Sequence, residues 1–198
     1  MKLLIVLSLT ILSQLSFSQT DDWANLNKYK QENSEIGLPS ENENRVVFMG
    51  NSITEGWIIA DPDFFKENSF INRGISGQTT PQLLIRFRQD VVNLKPKGVV
   101  LLAGTNDIAG NTGPSSFEMI EDNIMSMVEI SKANNIKVIL CSVLPVFDYP
   151  WKQGINPSEK IIELNRRIKS DSEENQIIYA DYFSAMADEK NGLKKRVF

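Results

Sequence analysis

Three short segments carry residue types that could do chemistry together: Gly50-Asn51-Ser52, Asn72-Arg73-Gly74-Ile75-Ser76-Gly77-Gln78-Thr79-Thr80 and Gly104-Thr105-Asn106-Asp107. In the first, an apolar run ends in glycine, turns through asparagine and delivers Ser52 to the start of a hydrophilic segment. That is how a fold presents a hydroxyl nucleophile. Splitting an ester through a serine needs the nucleophile, a base for its proton, and preorganised donors for the oxyanion of the transition state. Gly77 has no side chain to keep a substrate from its backbone N–H, Asn106 carries an amide donor, and the N–H of Ser52 supplies a third. Each segment also has a plain reading. Gly-Asn-Ser is a common turn, Gly77 satisfies a loop with positive φ, and Asn106-Asp107 is a turn whose aspartate bonds local N–H groups. Their order, each after a successive strand, makes the set specific. The base is the gap: the 198 residues contain no histidine.

The elements that must position these segments follow from hydrophobic periodicity. Short apolar runs at 46–49, 70–72, 99–103, 138–143 and 177–180 predict strands. Residues 23–32, 81–93, 116–134 and 157–174 predict helices. Leu83, Leu84, Phe87, Val91 and Leu94 recur at helical spacing, as do Ile120, Ile124, Val128 and Ile161, Leu164, Ile168, and these stripes face a core. Ser115 with Glu118 predicts a capping box, and Asn156-Pro157 with Glu159 predicts a second helix start. Strands alternating with helices imply a parallel sheet covered on both faces, and the crevice at the carboxyl ends of such strands is where ligands bind.

Composition bounds the rest. With 198 residues, 41% of them hydrophobic, the chain fits one domain, and its net charge of -4 with no basic block argues against a nucleic-acid partner. Residues 1–18, MKLLIVLSLTILSQLSFS, combine Lys2, an apolar stretch and a small-x-small end. They predict a secretory signal peptide, and hence an exported, periplasmic or extracellular protein, with 19–198 as the domain. No cysteine stands at the cleavage point, which argues against a lipid anchor. Cys141, the single cysteine, reads as a buried structural thiol.

FMGNSITEGW, NRGISGQTT and LLAGTNDI resemble the first three sequence blocks of the SGNH (GDSL-type) hydrolases, and the resemblance runs from Arg45 to about Gly192. It implies an α/β fold, a flavodoxin-like three-layer α/β/α sandwich with a five-stranded parallel sheet. It also implies serine-dependent hydrolysis of esters, often acetyl groups on carbohydrates or acyl chains on lipids, with no cofactor or metal. Carried over by position, Ser52 is the nucleophile, and Ser52, Gly77 and Asn106 form the oxyanion hole. Asn51 stands where many members have aspartate, at a position that is not the base. The family's last block, Asp-x-x-His on a loop after the fifth strand, followed by a final helix, has no counterpart. Asp181-Tyr182-Phe183 leads to Gly192 and the chain stops at Phe198, while Asp188 is followed by Glu189-Lys190-Asn191.

The expectation is a shortened or frameshifted copy of an esterase, lacking the last helix and leaving an apolar strip of one sheet face uncovered. Without the histidine the expected loss in kcat is ~10⁶. Glu55 or a lysine is the remaining candidate for the base. Trp57, Phe64, Phe65, Phe147, Tyr149 and Trp151 are expected to rim the cleft, where aromatic faces suit sugar rings, so carbohydrate O-deacetylation is the leaning among small-molecule and carbohydrate ester substrates. The alternatives are a non-catalytic ester- or carbohydrate-binding protein and a flavin or phosphate binder. The last leaves the second and third segments unexplained.

Overall fold

A computed structural model describes residues 22–195; the expected signal peptide, 1–18, lies outside the described residues. Five strands form one parallel sheet in the order β2-β1-β3-β4-β5: β1 (Val46–Gly50), β2 (Phe70–Gly74), β3 (Gly98–Leu102), β4 (Lys137–Cys141) and β5 (Ile178–Ala180). Among the described residues, eight α-helices accompany them: α1 (Lys30–Ile36), α2 (Ser52–Ala60), α3 (Pro62–Glu67), α4 (Thr80–Asp90), α5 (Thr105–Ile108), α6 (Phe117–Ala133), α7 (Ser158–Glu174) and α8 (Tyr182–Met186). Gly50 pairs with Gly74 on one side and Leu102 on the other. The first three strands, β1, β2 and β3, therefore end level, and all three chemical segments start from one edge.

Alternate residues of each strand face opposite layers. Val47, Met49, Val99, Leu101 and Leu140 pack against Leu83 and Phe87 of α4, Ile120 and Ile124 of α6, and Ile161, Leu164 and Ile168 of α7. Full burial of such side chains contributes roughly 1.5–3 kcal/mol each, so this side is the main core. Phe48, Val100, Leu102 and Cys141 face the other way and meet Phe65, with Trp57, Phe64 and Tyr182 partly buried beside them. The result is the three-layer α/β/α sandwich that the alternation of elements implied.

Several local expectations shift. The helix expected over 23–32 forms only from Lys30. The Asp22 carboxylate accepts the N–H groups of Leu26 and Asn27 at 2.7 and 2.8 Å, and Asn25 takes a φ of 55°, so the first residues are turns. The cap of α6 is Ser116, which accepts the Met119 N–H at 3.2 Å, rather than Ser115. Asn156 caps nothing: its φ is 50° and Pro157 leads into α7. The largest correction concerns the aromatics. Trp57, Phe64 and Phe65 do not rim a cleft but gather around Phe48, with Trp57 and Phe64 stacked at a centroid distance of 5.0 Å. An apolar sheet face needs cover, and α2 with α3 supplies it through these rings.

Candidate active site

Ser52 is the first residue of α2 and is exposed. Asn51, 1% exposed, caps that helix: its Oδ1 accepts the Ile53 N–H at 3.0 Å. An asparagine oxygen serves this purpose as well as an aspartate oxygen does, which accounts for Asn at this position. Two glycines let α2 begin directly on the strand ends. A Cβ on Gly74 would stand 2.1 Å from the backbone N of Glu55, and one on Gly50 2.2 Å from Thr54 Oγ1.

The second segment crosses from β2 to the end of β1, where the Ile75 N–H donates to Gly50 O at 3.0 Å. Gly77 follows in an exposed turn with φ +77°, a conformation glycine adopts without strain. Asn106 is 2% exposed, and its Nδ2 donates to Gln78 O at 2.9 Å. That bond joins the third segment to the loop of Gly77 and takes one of the two N–H donors an amide carries. Asp107 is no ordinary turn residue. Its carboxylate accepts the Thr80 N–H at 3.0 Å and the Thr80 hydroxyl at 2.6 Å, fastening α5 to the start of α4. Burial pushes the Asp107 carboxyl above its ordinary value, against those bonds from Thr80.

A buried guanidinium that the sequence reading missed lies beneath the first two segments. Arg86 donates through Nη2 to Gly50 O at 3.1 Å and to Arg73 O at 2.8 Å, through Nε to Gln78 Oε1, and through Nη1 to Asp90 at 2.9 Å. Burial lowers the Arg86 pKa and the Asp90 carboxylate opposes that shift. The available signal was a pair of opposite charges four residues apart on the apolar stripe of α4, beside Leu83 and Phe87.

Glu55, the acidic candidate for the base, is already engaged. The Glu55 carboxylate accepts the Ser76 N–H at 2.7 Å and the Ser76 hydroxyl, and pairs with Lys28 Nζ. Burial raises its pKa, but the bonds from Lys28 and Ser76 outweigh it and leave the group below its ordinary value. Lys152 Nζ is bound to Ala109 O. After β5, Asp181 caps α8 through the Ser184 N–H and hydroxyl, and Asp188 closes a turn by accepting the N–H groups of Lys190 and Gly192. Of the remaining aromatics expected at the rim, Tyr149 is fully buried and its hydroxyl donates to Thr105 O at 2.9 Å. Phe147 and Trp151 stay 60% and 59% exposed on the loop after β4.

The sequence pattern of the GDSL-like Lipase/Acylhydrolase family matches residues 48–198. Among solved structures, a Bacteroides fragilis protein assigned as an acylhydrolase is 52% identical with a TM-score of 0.86, over 88% of this chain and 85% of that one. A GDSL-like lipase from Bacteroides thetaiotaomicron is 49% identical with a TM-score of 0.85, over 87% and 85% of the two chains. An uncharacterized lipoprotein of Bacillus subtilis is 36% identical over 81 residues, which are 39% of this chain and only 33% of the lipoprotein's length. With its sheet order, its three strand-end segments and a pattern match over most of its length, the chain belongs to the GDSL-like lipase/acylhydrolase family.

Proposed function

We propose that this chain is a serine-dependent ester hydrolase in which Ser52 is the nucleophile and Ser52, Gly77 and Asn106 form the oxyanion hole. The observation that carries the reading is the exposed Ser52 on the first turn of α2, beside two strand-end loops that Asn106 and Gln78 bond together. In this reading Ser52 Oγ adds to the ester carbonyl carbon. The carbonyl oxygen, now an anion, accepts the N–H groups of Ser52 and Gly77 and the Asn106 amide. Collapse breaks the bond to the alcohol oxygen, which leaves carrying a proton, and water releases the acid by the same route. The proton of Ser52 passes to solvent water or a buffer base, which returns it to the leaving alcohol, since these 198 residues contain no histidine to carry it.

The net charge of -4 favours a small-molecule or carbohydrate ester over nucleic acid. Phe147 and Trp151, exposed on the loop after β4, favour a carbohydrate ester, and O-deacetylation is the reaction we assign. Export to the periplasm or beyond is supported by the signal-peptide pattern of 1–18 and by likeness to a lipoprotein. No helix among the described residues is long and apolar enough to cross a membrane.

Turnover of a chromogenic acetyl ester by the purified chain, compared with Ser52→Ala, tests the assignment. Hydrolysis that vanishes in the alanine variant is expected. Equal rates from the two proteins overturn it and favour the second reading, an ester- or carbohydrate-binding protein without turnover, to which the absence of histidine points.

A further inference from the structure

Glu55 lies three residues after Ser52 on α2, and neither the nucleophile nor the oxyanion donors account for it. Its carboxylate takes two bonds from one residue, the N–H of Ser76 at 2.7 Å and the Ser76 hydroxyl. Ser76 precedes Gly77, so Glu55 bridges the helix that starts at Ser52 and the loop that bears Gly77. Two donors of one residue on one carboxylate fix that residue's backbone and side chain together, and charge-assisted bonds of this type are stronger than neutral ones. The orientation of Ser76 in turn sets the peptide plane whose N–H belongs to Gly77. The residues before α1 complete the arrangement. Lys28 Nζ pairs with Glu55, the Tyr29 hydroxyl donates to Gly74 O, and Gln78 Nε2 donates to Ala24 O at 2.8 Å. The loop 74–78 is thus held at both ends from 24–29 and in its middle by Glu55.

We propose that Glu55 is a positioning residue, which aims the Gly77 N–H at the oxyanion of an ester, and that Lys28 holds Glu55 in that role. This rests on the assignment of Gly77 as an oxyanion donor. Asn111 Nδ2 donates to Gly77 O at 3.0 Å and holds the peptide after Gly77, which leaves the peptide that carries the Gly77 N–H to be set from Ser76, and misplacement by about 1 Å can cost ~10²-fold in rate. With its oxygens committed to Ser76 and Lys28, Glu55 is spoken for as a tether and is unfit as the missing base.

Amide NMR on the full chain tests the proposal with or without turnover. In the wild type the Ser76 amide proton should move with the ionisation of Glu55, at a midpoint below the usual carboxylate range. The other titratable groups facing Glu55 are Lys28 and Tyr29, the tyrosine pushed up to about 12 by burial. Glu55→Gln should abolish that movement. In Glu55→Ala, hydrogen exchange at the Ser76 amide, whose N–H loses its acceptor, should quicken by at least ~10-fold while the amides of β3 keep their rates. Glu55→Gln, which retains one acceptor, should fall between. Where ester turnover is measurable, Glu55→Ala should lower kcat by about 10–100-fold with little change in KM. Unchanged exchange at Ser76, or a speeding shared equally by β3, overturns the proposal. A wild type no faster than Ser52→Ala defeats the esterase assignment instead, and leaves the amide result to be read by itself.

Discussion

At Ser52 everything turns on the destination of one proton. A serine hydroxyl near its free pKa is a weak nucleophile, and removal of the partner base costs such enzymes ~10⁶ in kcat. Glu55 is engaged by Ser76 and Lys28, and Lys152 by Ala109. If the oxyanion donors stand ready and only the acceptor is lacking, a small base should restore part of the rate. Added imidazole is expected to raise acetyl ester turnover in proportion to its neutral form, and to leave Ser52→Ala at the level of imidazole in buffer. Equal stimulation of both proteins would show that Ser52 takes no part. The neighbouring Asn51 sets the turn that presents the hydroxyl. Asn51→Ala removes the acceptor of the Ile53 N–H, and a loss of ~1 kcal/mol is expected from urea unfolding.

At the scale of elements, the site depends on how closely α2 sits on the strand ends. Gly74→Ala would bring a Cβ to 2.1 Å from a backbone nitrogen, which cannot swing aside as a side chain can. A stability loss of about 3 kcal/mol or more is expected, read as a lower urea midpoint with unchanged slope. Wild-type stability in this variant would mean that α2 can lift off β2. The strands and the helices α4, α6 and α7 were legible because their apolar residues keep one period. α2 was not, since SITEGWIIA spreads its apolar residues around the helix and gives no stripe to read. α6 was misread by one residue because Ser115 and Ser116 are equally good caps, and only the geometry chooses. The Arg86–Asp90 pair was hidden for another reason. Charges four apart usually mark a solvated face, yet here they point inward, because Gly50 O and Arg73 O at the strand ends need a donor.

Across the whole molecule, the gathering of the Ser52, Gly77 and Asn106 segments at one sheet edge was legible from chain order, since parallel topology brings successive strand ends together. Their tethers were not, because Glu55 and Ser76 are 21 residues apart and meet only after α2 has folded over β2. The sheet face opposite the main core makes the same point in reverse. An uncovered apolar strip was expected on one sheet face, and here Phe48, Val100, Leu102 and Cys141 are all buried. On that face Ile178, at the edge strand, is left 60% exposed. Tyr182 and Leu144 pack against the same cluster as Cys141, so the thiol reports whether this thin cover is sealed. Burial pushes Cys141 up to about 11 from an ordinary 9.0, against a weaker opposing bond with Tyr182. A folded pKa above the unfolded one favours the protonated thiol in the folded state. The resulting stability is fully present below about pH 9 and is lost as pH rises through 11. Thiolate is the species that alkylates. At pH 8 native protein should therefore resist iodoacetamide, while protein in urea reacts freely. Mass spectrometry across a urea series should show modification of Cys141 rising with the unfolding transition itself. Labelling that precedes that transition would mean that α8 opens before the rest of the sheet, and that the strip is exposed after all in a partly open state.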